Sequence, residues 1–175
     1  MVKLMKRVKF HLTKRFKPKA VHAEALFIDD VWEIAKTKLE NKEYDKWYLM
    51  TPANYDYFKG TFNTSLPLMV IDATLRVRYS LLKCLINNDN KIGLHIHLSA
   101  AMNLTYAEQK DLISKSIKWF KETLGFVPKE VVFGWWLYNH DTKEICKSYD
   151  LKIINQEDYN SIHDYNWLGI IEDDE

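Results

Sequence analysis

Cysteine, glycine and proline are scarce in this chain, with two, five and four copies in 175 residues. The two cysteines, Cys84 and Cys146, lie in helix-like patterns and read as buried free thiols of a reducing compartment rather than a disulfide framework. So little glycine and proline excludes collagen-like, mucin-like and flexible-linker character. No apolar run approaches the roughly 20 residues of a membrane span. The N-terminus also lacks the apolar core of about 7–15 residues that marks a secretion signal. A cytoplasmic protein with no transmembrane segment is therefore expected, and the sequons at Asn63 and Asn103 carry little weight.

What is present suits a packed core. Apolar residues make up 47% and charged residues 28%, with six Trp, ten Tyr and eight Phe, enough for one α/β-sized domain. The net charge of +1 hides an asymmetry, because residues 1–20 hold eight Lys and Arg and no acid. Residues 1–22 thus read as a basic N-terminal arm that suits an anionic surface or nucleic acid. Its apolar residues Leu4, Phe10 and Phe16 are too scattered for a strong membrane-binding face. Residues 23–170 read as one domain, and 171–175 as an acidic tail.

Along the domain, strand-like and helix-like segments alternate. "EALFID" (24–29) reads as a strand, and 29–42 as a helix capped by Asp29 or Asp30, with Val31, Ile34, Ala35, Lys38 and Leu39 on one face. "KWYLMTP" (46–52) reads as a strand stopped by Pro52, and 53–66 as a loop. Residues 66–73 are open between strand and helix lead-in, and 74–88 have helical spacing. "KIGLHIHLS" (91–99) reads as a strand. Residues 105–125 give the clearest helix, with a Thr105–Glu108 capping box, an inward stripe of Leu112, Ile113, Ile117, Phe120 and Leu124, and a stop at Gly125. A strand at 129–136, a short helix at 141–150 with a capping box from Asp141 to Glu144, and a strand at 151–155 follow. The expected fold is α/β, a mainly parallel sheet with covering helices.

In such folds the chemistry gathers at the C-terminal ends of the strands. His95 and His97 are two apart on a strand and so point to one side. Two imidazoles beside carboxylates at a strand end suit a divalent metal such as zinc. Asp29-Asp30 and the Asn139-His140-Asp141 run are the other polar groups expected at strand ends.

The order of segments resembles the polysaccharide deacetylase (NodB-homology) family. "LFIDDVW" is similar to its Asp-Asp strand, "KIGLHIHLS" to its Gly-x-His strand, "KETLGFVPKEVVFGWW" to its long helix ending before Pro, and "SIHDYNW" to a late loop. The resemblance spans about residues 24–168 and implies an incomplete deacetylase-type (β/α) barrel. It further implies a metal-dependent hydrolase that removes an acyl group from an N-acyl sugar or related amide. By that resemblance Asp29 is the general base and His163 the late acid. Asp30 and His95 match the family's metal ligands, and the expected metal is a divalent ion, zinc first; Ser99 stands where the family has its second histidine, and His97 is the candidate to replace it if both imidazoles reach one ion. Val132 stands where the family has an orienting Arg. Trp135, Trp136, Asn139, His140 and Trp167 are the candidate substrate-binding residues for a carbohydrate or small amide. Two other readings are a deacetylase-like domain that binds a glycan or small ligand without turnover, and an anionic-partner binder acting through residues 1–20.

Overall fold

The structure is a computed structural model that describes residues 18–60, 62–98, 104–159 and 166–167. Its strands are β1 (Ala20–Ala23), β2 (Lys46–Met50), β3 (Ile92–Ile96), β4 (Glu130–Phe133), β5 (Lys152–Ile153) and β6 (Asn166–Trp167). Its helices are α1 (Asp29–Glu40), α2 (Pro52–Phe58), α3 (Leu68–Ile86), α4 (Tyr106–Leu124) and α5 (His140–Ser148). The strand order is β5-β4-β3-β2-β1-β6 and each described pairing is parallel. A parallel α/β sheet with covering helices is therefore what this chain forms. No helix among the described residues is long and apolar enough to cross a membrane.

The period of two along the strands sorts the sheet into unlike faces. Val21, Ala23, Trp47, Leu49, Leu94, Ile96, Val131 and Phe133 join one large core with Val31, Leu75, Tyr79, Ile113, Phe120 and Ile145 of the helices. The helices thus cover that face. The opposite face has a smaller cluster, Ala20, Tyr48, Val132, Ile154 and Tyr159, with Trp136 packed on it. This second face is also where His22 of β1 lies, paired in register with Tyr48, and where His95 of β3 lies, paired with Met50 and Val132.

Rings fit on this inner face because the residue opposite has no side chain. Tyr48 is paired with Gly93, where a Cβ would overlap the Tyr48 ring. A Cβ on Gly134 would overlap the His97 imidazole. At the N-terminal edge, the Tyr48 hydroxyl donates to Glu130 Oε2 at 2.9 Å, and Lys46 pairs with the same carboxylate. Burial pushes the Tyr48 phenol well above its ordinary range, so it stays a donor.

Several expected segments fall elsewhere. The strand read over 24–29 lies earlier, at Ala20–Ala23. The apolar run after it is buried but turned: Ala25 has φ 50° and its carbonyl accepts from Ile28 N–H at 2.9 Å. Three of the four β1 residues therefore lie in the stretch read as the basic arm. Of that arm, residues 1–17 lie outside the described residues, as does the acidic tail 171–175. The loop read over 53–66 opens with α2, because Pro52 starts a helix at its first turn rather than only ending a strand. Residues 68–86 are one helix, α3, without a strand lead-in. Strand β4 ends at Phe133, and Gly134–Trp136 form a 3-10 turn.

The caps and stripes are mixed. The capping box at Thr105 and the left-handed stop at Gly125, φ 79°, are present as read, and the inward stripe of α4 is buried throughout. The box on α5 is instead Asn139 with Thr142, reciprocal through side chain and backbone. Helix α1 starts after Ile28 without a side-chain cap, and Asp29 and Asp30 occupy its first turn, where the helix dipole favours acids. Ile34 is exposed, while Trp32 is buried in its stead. Cys84 is exposed. Cys146 is buried, and burial pushes its thiol up to about 12.

The ring-against-glycine pairing gives a direct test. Gly93→Ala should lower stability by about 1–3 kcal/mol through overpacking against Tyr48. Gly60→Ala, where an added Cβ meets nothing within 4 Å, should be near neutral. Urea denaturation of the two variants beside the parent checks this, and equal midpoints would show that the Tyr48 ring can move aside.

Candidate metal centre

Two i, i+2 pairs build the site, one from each of two strands. His22 and Glu24 come from β1 and the residue just after it. His95 and His97 come from β3 and the residue just after it. All four are buried, with Glu24 2% and His95 0% exposed. Strand β2 lies between β1 and β3, so the two pairs converge across the inner face at the C-terminal end of the sheet.

The carboxylate is the hub. Glu24 Oε1 lies 2.5 Å from His95 Nε2 and 2.7 Å from His97 Nε2. His22 stacks on His95 with ring centroids 4.6 Å apart and 25° between planes. The ligand-type atoms of His22, Glu24 and His95 all lie within 4.8 Å of one another. Behind the rings, Val132 O sits 3.2 Å from His95 Nδ1. Asn54 of α2, fully buried, grips the backbone of His97: its Oδ1 accepts from His97 N–H at 3.0 Å and its Nδ2 donates to His97 O at 3.4 Å. A strand that has just left its ladder is thus held by one side-chain amide.

Electrostatics set the protonation. Burial lowers the His22 pKa well below the ordinary imidazole range, and repulsion from His95 adds to this. Burial also lowers His95, and the attraction of Glu24 only partly offsets it. For Glu24, burial acts to raise the pKa, but the attraction and hydrogen bonds of His95 and His97 outweigh it and hold the carboxyl well below its usual range. The set then holds an ionised Glu24 carboxylate, with His22 and His95 pushed toward the neutral form.

That set contains a conflict. A neutral His95 carries one ring proton, yet oxygens face both its nitrogens. With Nδ1–H donating to Val132 O, the Nε2 lone pair meets the Glu24 carboxylate. With Nε2–H donating to Glu24, the Nδ1 lone pair meets the carbonyl. His95 and Glu24 would escape the conflict if they held a divalent cation, with His95 Nδ1–H then donating to the Val132 carbonyl, the usual outer partner of a metal-bound histidine. The mutually close donors are His22, Glu24 and His95, with His97 reaching the same carboxylate, and imidazoles with a carboxylate suit zinc. The present 2.5 and 2.7 Å separations are those of hydrogen bonds. Neighbouring donors on a tetrahedral zinc stand about 3.3 Å apart, so ion entry requires the Glu24 carboxylate to turn out of line between the rings.

The outer wall is aromatic. Trp135 and Trp136 both have left-handed backbones, φ 51° and 58°, which for bulky residues costs on the order of 1–2 kcal/mol each. The turn sends the two indoles to different places. Trp135, 54% exposed, sits edge-on to His97 at 4.6 Å between centroids. Trp136 is half-buried against His22 at 5.6 Å. The strained turn aims one ring at the rim of the cluster and packs the other beneath it.

The residues expected from sequence are only partly assembled here. His95 and His97 do share one carboxylate, but it belongs to Glu24, not Asp30. Asp29 and Asp30 are exposed on the first turn of α1, and Asp29 pairs with Arg78 of α3. The displacement follows from β1 ending at Ala23. Trp135 and Trp136 do lie against the cluster. Asn139 spends its side chain on capping α5, accepting from Thr142 N–H at 3.0 Å. His140 is the exposed first residue of that helix. It lies near Asp141 and Glu144 in a solvent-facing group of the kind common without an ion. His163 and Ser99 lie outside the described residues, as does the Trp167 side chain.

Glu24 and His22 were missed by the sequence reading. The signal was available: "VHAEA" repeats the i, i+2 polar pattern of "LHIHL", but it straddled the boundary drawn at residue 22. Comparisons of this chain with protein-family models, curated proteins and solved structures gave no significant match.

The protonation pattern predicts the pH response of the metal-free protein. Because burial lowers the folded-state pKa of His22 and His95, the unfolded chain takes up protons near pH 6.5 that the folded chain does not. Stability is then full above that pH and falls as pH drops below it, by about 1.4 kcal/mol per pH unit for each such proton. The depressed Glu24 adds a further loss below about pH 4.5. Urea midpoints at about pH 7.5 and about pH 5.5 should show a clear fall, and a flat profile would mean that the imidazoles are charged in the folded protein.

Proposed function

We propose that this protein is a metal-dependent hydrolase that removes an acyl group from an N-acyl sugar or related amide, working at the His22, Glu24, His95 and His97 cluster. One observation carries the reading: a single buried carboxylate oxygen lies within 2.7 Å of Nε2 of both His95 and His97. The cluster sits at the C-terminal strand ends, where parallel α/β sheets place their chemistry. The resemblance of "KIGLHIHLS" to the Gly-x-His strand of polysaccharide deacetylases adds support. So does the strand order, which runs from β1 to β5 without reversal and returns with β6 beside β1, the winding of an incomplete (β/α) barrel.

A bound divalent ion, zinc in this proposal, supplies a water of lowered pKa and a Lewis acid for the acyl carbonyl. The chain's own residues do the rest. His95 and His97 present Nε2, and Glu24 presents Oε1. Val132 O fixes the His95 tautomer through Nδ1–H. Asn54 fixes the height of His97. Trp135 gives a half-exposed aromatic wall beside His97, suited to the apolar face of a sugar ring.

A second reading rests on a specific observation. Glu24 is the one carboxylate that the described residues bring to these imidazoles, whereas the deacetylase scheme uses one acid as ligand and another as base. A domain that holds an ion and a glycan or small ligand without turnover fits that count.

Zinc content and acetate release separate the outcomes. Purified protein should carry about one zinc per chain, and His95→Ala and Glu24→Gln should each weaken zinc binding by more than about 100-fold while keeping the parent far-ultraviolet spectrum. Release of acetate from N-acetyl-sugar oligomers, lost in both variants, supports the hydrolase. Zinc binding without release supports the second reading. Failure to bind zinc, or binding untouched by both substitutions, overturns both.

A further inference from the structure

Helix α3 is apolar on the side that faces solvent. Met69 is 77% exposed, Val77 62%, Leu85 60% and Leu81 49%. Ala73 and Cys84 are exposed on the same side. The inner side is apolar as well, with Ile71, Leu75, Tyr79 and Leu82 buried in the core. A helix with apolar strips on two opposite sides ordinarily buries both.

The charges of α3 make the point sharper. Asp72 accepts from Arg76 Nε at 2.8 Å and from Trp119 Nε1 at 2.5 Å. Arg76 also donates to Thr123 Oγ1 at 3.0 Å. Arg78 bonds the carbonyls of Leu26 and Ile28 and pairs with Asp29. Lys83 donates to Leu124 O. Every charged side chain of the helix is thus turned to its own molecule, and none is left on the outer strip. A monomer would place them the other way round.

We propose that this strip is the interface of a homodimer in which α3 packs antiparallel against α3 of a second copy, with Val77 on the two-fold axis. The sequence is self-complementary about that residue. In an antiparallel pair, Ala73 meets Leu81 of the copy, Val70 meets Cys84, and Met69 meets Leu85, so each apolar residue of the strip faces another. Steps of 70, 73, 77, 80 and 84 alternate three and four, the seam spacing of paired helices. The strip from Met69 to Leu85 is about 24 Å long on a helix about 10 Å across. With its flanking side chains it reaches the roughly 500 Å² per partner of the smallest specific interfaces. The near-zero net charge of +1 leaves two copies without strong repulsion.

Sedimentation velocity on the full chain tests this. The parent should run at twice the chain mass of 20.8 kDa at micromolar concentration. Val77→Glu and Leu81→Glu, both at exposed positions, should run as monomers with unchanged circular dichroism. Geometry has its own readout: Val77→Cys with Cys84→Ser should form a disulfide-linked dimer under mild oxidation, and Lys118→Cys with Cys84→Ser should not. A monomeric parent, whether the strip lies bare or is covered by residues 1–17, overturns the proposal. So does a dimer that survives both Glu substitutions, or one that cross-links equally at Lys118.

Discussion

The inner face of this sheet depends on the Glu24 carboxylate. An ionised acid that is 2% exposed is tolerated only where it is paired and hydrogen-bonded, because its desolvation is worth several kcal/mol. Here two imidazole nitrogens meet one of its oxygens. Those imidazoles need backing of their own, and the fold supplies it from three directions: the Val132 carbonyl behind His95, the Asn54 amide on the His97 backbone, and the missing side chain of Gly134 beside the His97 ring. Take away the carboxylate and both Nε2 atoms lose the oxygen they face.

The two faces of the sheet divide labour accordingly. One face carries Val, Ile, Leu and Trp into the helices and makes the main core. The other carries rings and ionisable groups in a column, from the Lys46–Glu130–Tyr48 contact at the N-terminal edge, through His22 and His95, to Glu24 and His97 at the C-terminal edge. Such a face is poor in apolar burial and does not stabilise the sheet as the helical side does. Its cost is carried by the large core, and its ionisable end lies at the C-terminal ends of β1 and β3. The left-handed backbones of Trp135 and Trp136 belong to the same bargain, with local strain held where the aromatic wall meets the cluster.

Much of this was legible in the residues. Alternation of segments gave the parallel α/β sheet, and the period of two gave His95 and His97 a common side. The long helix at Tyr106–Leu124 could be read end to end because its cap, stripe and glycine stop agree. What failed did so for local reasons. Ala20, Val21, His22 and Ala23 make a short strand with two alanines, a weak strand signal beside a basic stretch, while the stronger apolar run "ALFI" just after it is a buried turn. That shift of a few residues replaced Glu24 by Asp29 and Asp30 in the sequence-based site. Pro52 was read only as a strand breaker, although it also opens a helix. The outward apolar face of α3 could not be told from its inward one, since its pattern is apolar on both.

As proposed, the buried carboxylate and imidazoles form a divalent-cation site. Nuclear magnetic resonance of the histidine ring nitrogens in isotope-labelled protein, followed as zinc is added, tests it most directly. Nε2 of His95 and of His97 should shift together and saturate at one equivalent, while Nδ1 of His95 keeps its proton on the Val132 carbonyl. Ring resonances of both histidines unchanged through excess zinc would contradict it and leave the cluster a buried structural network.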